Sequence, residues 1–527
     1  MTVKTHTVEP VDSLSLLSLK VASNVFDVSS GVHHLSIRDQ IVRARMLVRD
    51  LKQGDKKVRR ILIVGAGVAG MSAALTACEL GIEEVVIVEA KDEPLALMRG
   101  VTKRHVGPYM YEWPSPFYDN QTYPEEEDKA WLGNYSSPLC WDSKSPLSAN
   151  ALALALEDDL VEEYANGVTH LPEIYVCAHR HTIKKFVKDF AKREASNSLL
   201  RLQKHAQLRS ETLRLSANEW PALNALGKKV PINPCAQISL DFAPQYVILA
   251  AGMGEENIRL TETPGSYSGI SFWANDDLLS PPKEARRIAI FGGGDGALQD
   301  VLRVLTGFEH PLKFIEHLER KQSVKRALES VTPLLLSVER QSRQFSGWTK
   351  GHFGYSRVDN HCRKIAARLA KNVRVVRHVL KAIRLSKSTT PFGDDTEVAL
   401  FVREHYFDKA YLLNRFLVHL IDACFREHQR TRSKKAKSTR PTKIPLRIFW
   451  GHKAIGSAPY GRRFNILVEN IQTNANMNYE ADHIVVRYGI TKDTVPGKQM
   501  IQVSPKSSAQ RTTLCRVELP FAVPSNA

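Results

Sequence analysis

The sequence predicts an α/β chain built on two parallel central sheets, with a helical N-terminal extension. Three observations carry this expectation. A strand, glycine turn, helix and second strand occur in that order twice in the chain. Each copy has a later apolar run ending in glycine that can close its sheet. Ahead of the first copy, Ile37 to Leu51 places Ile37, Ile41, Val42, Ala44, Leu47, Val48 and Leu51 on or near one helical face.

The first unit begins with the apolar run Ile61-Leu62-Ile63-Val64. Gly65-Ala66-Gly67-Val68-Ala69-Gly70 follows, then a helix-like stretch to Leu80, then Val85-Val86-Ile87-Val88 ending at Glu89. A lone G-x-G-x-x-G is weak evidence, but one framed by a buried strand, a helix and a terminal acid is specific. Each residue has a separate physical reason. Gly65 allows the tight turn, Gly67 lets a pyrophosphate approach the backbone, and Gly70 lets helix and strand pack closely. The helix start presents unpaired N–H groups to phosphate, and Glu89 can accept from ribose hydroxyls.

The second unit runs from Arg286-Arg287 through Ile288 to Phe291 and into Gly292-Gly293-Gly294-Asp295-Gly296-Ala297. A helix-like stretch reaches Gly307, and Leu312-Lys313-Phe314-Ile315 reads as the next strand, ending at Glu316. Glu316 follows Gly292 by 24 residues, the same interval that separates Glu89 from Gly65. Tyr246 to Gly252 is the candidate closing strand of the first unit, and Asp482 to Gly489 that of the second. Two such units predict two Rossmann-like dinucleotide-binding domains, at residues 58–285 and 286–490, after an extension at 1–57 and before a tail at 491–527.

Composition restricts the classes. The chain has 527 residues, 43% hydrophobic and 24% charged, which is soluble globular composition. No run approaches the roughly 18 apolar residues of a membrane span, and the N-terminus lacks the pattern of a secretory leader. The seven cysteines are scattered and never spaced C-x-x-C, which argues against a disulfide framework, a zinc site or a redox dithiol, and no metal site is expected. A reducing cytoplasm is the expected home. The net charge of +17 favours anionic ligands. Part of it lies in a basic block from Arg426 to Lys443, read as a solvated loop, with a nucleic-acid or acidic partner as the alternative. Ala410 to Phe425 has the spacing of a core-facing helix. His179, Arg180 and His181 read as the approach to a helix starting near Thr182 rather than as metal ligands.

At this point the chain resembles the flavoproteins with two dinucleotide-binding domains, which include flavin-containing monooxygenases and pyridine-nucleotide disulfide reductases. ILIVGAGVAG to IVEA resembles their FAD fingerprint, and VILAAG their crossover strand, with Ala251 where threonine is usual. The stretch from Pro264-Gly265 through Phe272-Trp273 to ARRIAIFGGGDGALQD resembles the monooxygenase lead-in to the nicotinamide nucleotide fingerprint. The resemblance implies FAD at Gly65 to Gly70, Glu89, Ala251 and Gly252, and NAD or NADP at Gly292 to Ala297 and Glu316. Glu316, placed where a 2′-phosphate would sit, favours NAD, while His317, Arg320 and Lys321 keep NADP open. It further implies that Tyr109, Tyr111 and Trp113 pass over the flavin, with an ordinary packed loop as the alternative. Arg99, Arg104 and His105 just before them read as surface basic residues.

Two departures bear on function. The redox dithiol of the disulfide reductases is absent, which excludes that chemistry. The C-terminal Gly-Asp, which in the family touches the flavin ribityl chain, is also absent, so Asp276 or Asp277 is the expected substitute. The reading is an FAD-dependent oxidoreductase reduced by NAD(P)H, with monooxygenation of a small substrate as its reaction. The alternatives are an FAD oxidase with a degenerate second site, and a non-catalytic dinucleotide-binding sensor or scaffold with a basic partner-binding loop. The sequence names no catalytic acid or base.

Overall fold

A computed structural model describes residues 19–28, 37–107, 113–114, 145–165, 171–194, 213–214, 230–234, 241–279, 287–343, 353–384, 397–435 and 445–500, save Ser23, Lys409, Lys492, Asp493 and Val495. Tyr109, Tyr111, and residues 436–443 of the basic block lie outside the described residues.

The apolar runs of the first unit are buried on both faces, as strands covered by helices on two sides must be. Seven strands form its sheet, in the order Lys20–Ala22, Val25–Asp27, Tyr246–Leu249, Arg60–Val64, Glu84–Val88, Glu173–Val176 and Ile232–Pro234. All neighbours are parallel except the first pair. One face is covered by the helices Ile37–Gly54 and Val68–Glu79 through Leu47, Leu51, Ala73 and Leu75. Arg180–Glu194 covers the other through Ile183, Val187 and Phe190.

The N-terminal segment is therefore more than a helical extension. Besides the expected helix it supplies the two strands at Lys20–Ala22 and Val25–Asp27. Runs of three residues are too short to show a period; Val25–Asp27 is buried alongside the Tyr246–Leu249 edge, and the half-buried Lys20–Ala22 pairs with it from outside.

The second sheet has four parallel strands, ordered Leu446–Trp450, Glu397–Val402, Arg287–Phe291 and His483–Val486. A three-stranded antiparallel meander, His452–Tyr460, Arg463–Asn470 and Asn476–Ala481, covers one face. Phe291, Phe401 and Phe449 stack across three strands beneath it, at centroid distances of 4.6 and 4.7 Å. Helices cover the opposite face.

One sequence expectation is overturned here. Leu312 to Ile315 is helical, within Pro311–Glu319. A four-residue apolar run does not distinguish strand from helix; the flanks decide. Pro311 stands at a helix start, where its missing N–H costs nothing, and the His310 ring accepts from Leu312 N at 3.2 Å. Leu312, Phe314, Ile315 and Leu318 bury one face. Pro311–Glu319 opens a helical layer continuing through Gln322–Glu329, Thr332–Arg343, Phe353–Leu369 and Val373–Arg384. The strand beside Arg287–Phe291 comes only afterwards, as the fully buried Glu397–Val402.

The helix expected at 410–425 forms as Leu412–Lys435, so the start of the basic block is helical rather than loop. Arg426 pairs with Asp422 at 2.9 Å and Arg430 with Glu427 at 2.7 Å. The helix expected at Thr182 starts at Arg180. No helix among the described residues is long and apolar enough to cross a membrane.

Candidate functional site: two glycine turns in matching frames

Both glycine turns lie at the carboxyl ends of their sheets, between two parallel neighbours. In the first, Val64 is in register with Val88 on one side and Leu249 on the other. In the second, Phe291 is in register with Phe401 and Val486. The chain leaves the strand through positive φ in both, +107° at Gly65 and +138° at Gly292. The residue that starts the helix is extended in both, with φ −76° and ψ −178° at Gly67 and φ −94° and ψ −177° at Gly294. Neither helix start has a side-chain cap, so its first N–H groups lack intrahelical partners and face outward.

The glycines divide by task. A Cβ on Gly65 would lie 2.4 Å from the Ala250 carbonyl oxygen, and one on Gly292 would lie 2.2 Å from that of Arg487. A Cβ on Gly70 would fall 1.9 Å from the Gly65 carbonyl oxygen. These three are required by packing. A Cβ on Gly67 would meet nothing within 4 Å, and one on Gly294 only the Asp408 carbonyl oxygen at 3.8 Å. Open space in front of an uncapped helix start is where a pyrophosphate fits. The closing strands also correspond, since Gly252 and Gly489 both turn with positive φ, +85° and +80°.

The first frame includes its acid. Glu89 follows Val88, accepts from Ala66 N at 2.7 Å through Oε2, and accepts from Lys91 N at 2.9 Å through Oε1. The second frame does not. By register the position matching Glu89 is Val402, whose Cγ1 lies 2.7 Å from where a Gly293 Cβ would stand, and the exposed Arg403 follows. Glu316 is on the Pro311–Glu319 helix, paired with Lys313 at 3.3 Å. Its interval from Gly292 matches that of Glu89 by coincidence, because the inserted helical layer displaces the true second strand. The run EVALFV was legible, but the earlier apolar run at the matching interval concealed it.

Asp295, the first helical residue of the second frame, turns its carboxylate towards its own chain. Oδ1 accepts from Asn414 Nδ2 at 2.6 Å and from Tyr411 N at 3.2 Å. Burial pushes its pKa up to about 7, against the opposing pull of those bonds and of Arg415.

Beside the second frame lies a buried ion cluster that sequence reasoning missed. Arg104, read as a surface residue, is 1% exposed. It pairs with Asp300 and, at 2.8 Å, with Asp276. Arg303 reaches Asp276 at 2.7 Å and Asp300 at 3.0 Å, and Arg487 Nε reaches Asp300 at 2.8 Å. The Phe272 ring lies 4.2 Å from the Arg104 guanidinium and 5.8 Å from that of Arg487. Burial alone would raise the Asp300 carboxyl, but Arg104, Arg487 and Arg303 hold it well below the usual carboxylate range. Arg104 comes from the first half of the chain, so the cluster ties the first unit to the second.

Three further expectations change. Asp276 is held by Arg104 and Arg303, and Asp277 lies 3.7 Å from His483. Besides Glu89, the buried Asp27, in register with Leu249, stands at the carboxyl edge of the first sheet. Trp113 is buried in the second unit's core, stacked on Phe416 at 5.4 Å, which corrects the pocket-lining reading. Arg99 pairs with Glu157 and Glu93, and His105 with Glu309.

Residues 60–229 match the model of the FAD dependent oxidoreductase family. No curated protein matches the chain. Among solved structures, thioredoxin reductase of Lactococcus lactis in its FR conformation aligns at 11% identity and a TM-score of 0.31, covering 87% of this chain and 99% of that one. The cadaverine monooxygenase DfoA of Erwinia amylovora, bound to FAD, aligns at 11% identity and a TM-score of 0.32, covering 82% and 78%. The lysine monooxygenase NbtG of Nocardia farcinica aligns at 11% and 0.29, covering 82% and 81%.

Proposed function

We propose an enzyme that binds FAD at 58–285, the unit whose residues 60–229 match the FAD dependent oxidoreductase family, and that is reduced by a nicotinamide nucleotide bound at 286–490. The observation that carries this reading is the matching of the two glycine turns in strand register, backbone conformation and open space. In the first unit the N–H groups at the start of Val68–Glu79 would face the FAD pyrophosphate. Glu89 would exchange its bond with Ala66 N for ribose hydroxyls. Ala251 and Gly252 let the backbone pass close to the cofactor, and Gly292 to Ala297 would hold the second nucleotide in the same way. A bound flavin supplies electron transfer from nicotinamide to an acceptor. The acceptor we propose is oxygen, with hydroxylation of a small substrate, on the resemblance of the segment leading into Gly292. The experiment is to identify the bound cofactor and to titrate it anaerobically with NADPH and NADH. A colourless protein that takes up no FAD, or a flavin that neither nucleotide bleaches, overturns the reading.

The nucleotide we favour is NADP. An acid at the end of the second strand selects a free ribose hydroxyl, while a nearby arginine accommodates a 2′-phosphate. Here the acid's place is taken by Val402, and Arg403 follows. Arg403→Ala should weaken NADPH binding by roughly ten- to a hundredfold, the scale of a charge-assisted bond, and leave NADH unchanged. Glu316→Ala should alter neither. Equilibrium titration of both nucleotides checks this; NADPH binding lost in Glu316→Ala would restore the acid to the site.

Asp295 makes the same site pH-dependent. Its folded pKa of about 7 is raised above the unfolded value of about 3.9. Ionising it therefore costs stability, increasingly as pH rises from about 4 to about 7. A pyrophosphate at this helix start binds better when the carboxyl is protonated. NADPH affinity should fall as pH rises above 7, by up to about tenfold per unit at the limit of one linked proton. Asp295→Asn should flatten the profile. Dissociation constants between pH 6 and 8.5 test it, and an unchanged slope in Asp295→Asn removes this residue as the cause.

A further inference from the structure

The end of one surface helix and the start of the next carry an unbroken line of cations. Phe353–Leu369 and Val373–Arg384 both pack on Leu412–Lys435 and are joined by a tight corner at residues 370–372. Lys364, Arg368, Lys371, Arg374, Arg377 and Lys381 follow one another at intervals of three or four residues through that corner, and all are exposed. That spacing keeps neighbours on one helical face. On the opposite face Ile365, Leu369, Val375, Val376, Val379 and Leu380 belong to the second unit's core, so the line sits on a rigid base.

The line lacks counter-charge. Asp359 is the only acid from Phe353 to Arg384, and it is buried, held at 2.9 Å by both Arg415 and His419. Among the described residues none of the cations in the line has an ion pair. Exposed arginines elsewhere do, as Arg426 with Asp422, Arg447 with Glu397 and Arg463 with Asp482. At its far end the line meets more positive charge. His378 stacks on His317 with centroids 5.5 Å apart, and burial, His378, Arg320 and Lys381 together push the His317 imidazole below its usual range. Cations gathered in this way repel one another, and a polyanion laid along them removes the repulsion.

The surroundings select the polyanion. Val373, 66% exposed, is the one large apolar side chain on the surface of either helix among the described residues. There is little to insert into a lipid surface and no aromatic anchor for a protein interface. Tyr355 is buried, and no described Phe, Tyr or Trp is exposed on the two helices, so the bases of a single strand find no stacking platform. Asn372, the one amide between Lys364 and Lys381, accepts from Arg374 N at 3.0 Å and is spent there, which leaves no reader for an RNA 2′-hydroxyl. What remains is recognition of phosphates by charge, the means by which proteins hold the backbone of duplex DNA.

We propose that this helix corner docks duplex DNA, with the line of cations from Lys364 to Lys381 lying along its backbone phosphates. The inference is independent of the flavin and nicotinamide readings and gives the inserted helical layer a partner of its own.

The test uses the full-length protein and reads the anisotropy of a labelled short DNA duplex across a salt series. Six phosphate contacts imply a slope of log K against log salt of about −5. Arg368→Ala/Arg374→Ala/Arg377→Ala should weaken binding roughly a hundredfold near 0.1 M salt and flatten the slope by about three. These side chains are exposed, so the thermal midpoint should hold. A control with the same loss of charge, Arg326→Ala/Arg426→Ala/Arg430→Ala, should stay within about threefold of wild type, because its side chains lie off the line. Equal losses in the two variants would assign the affinity to net charge and overturn the proposal. So would a wild type that binds no duplex near 50 mM salt. Single-stranded DNA, duplex RNA, polyglutamate or phosphatidylserine vesicles displacing the duplex at a lower concentration of charge would identify another class of partner, and that also overturns it.

Discussion

Gly67→Val is expected to produce a folded protein that has lost its FAD. The Gly67 backbone is extended, with φ −76° and ψ −178°, which a branched residue adopts without strain, and a Cβ there meets nothing within 4 Å. The folding cost is that of replacing glycine at a helix N-cap by an apolar residue, about 1 kcal/mol. The isopropyl group would instead stand in the space in front of the helix N–H groups, where the pyrophosphate must lie. Loss of that contact should weaken FAD by at least about a hundredfold, or ~3 kcal/mol. Gly70→Val, only three residues on, should behave differently. Its Cβ would fall 1.9 Å from a main-chain oxygen that cannot turn aside, so the first unit should fail to fold. Flavin absorbance with thermal unfolding separates the two outcomes. Gly67→Val that retains full flavin would show that this turn does not carry the cofactor.

Asp300→Asn is expected to destabilise the join between the two units strongly. Three guanidinium groups and two carboxylates are sealed together, each 1% exposed or less except Arg487 at 5%. Removing the Asp300 charge leaves Arg104, Arg303 and Arg487 facing Asp276 alone. Breaking a buried pair in this way costs roughly 3–5 kcal/mol, because the charges left behind remain desolvated. Arg104→Met should cost less, since it leaves two cations against two anions and keeps an apolar stem packed on Phe272. Denaturant unfolding of both variants measures the asymmetry, and equal losses would show that charge balance is not what the cluster supplies. The pH dependence has a definite sign. The Asp300 pKa is depressed in the fold, so its contribution is fully present above an unfolded value of about 3.9. It is lost only as pH falls through the lower folded value. The join between the units should therefore withstand mild acid.

The frames themselves were legible in the amino-acid order. Local patterns carry them: ILIV before GAGVAG, IAIF before GGGDGA, and apolar runs ending at Gly252 and Gly489. Steric rules at Gly65, Gly70 and Gly292 act over a few residues, and buried parallel strands show as unbroken apolar runs. The helix at 37–54 and the part of 412–435 up to Phe425 were legible for the same reason, since their buried stripes repeat every three or four residues, whereas the charged turns from Arg426 on read as a loop.

What only the tertiary structure decided depends on partners far away in the chain. Leu312 to Ile315 carries no period long enough to choose its state, and a ring nitrogen of His310 with Pro311 sets it as helix. Once that run is helical, the acid position of the second frame passes to Val402, 86 residues beyond Glu316, through pairing of Arg287–Phe291 with Glu397–Val402. Val25–Asp27 becomes a strand because Tyr246–Leu249 presents unpaired backbone groups beside it. Arg104 is buried because Asp276, Asp300 and Phe272 converge on it from across the sequence. A charged residue looks the same in a one-dimensional reading whether it is solvated or paired. The amino-acid order thus determined both glycine turns and their strands, while long-range pairing and desolvation decided which acid, which arginines and which edge strand stand around them.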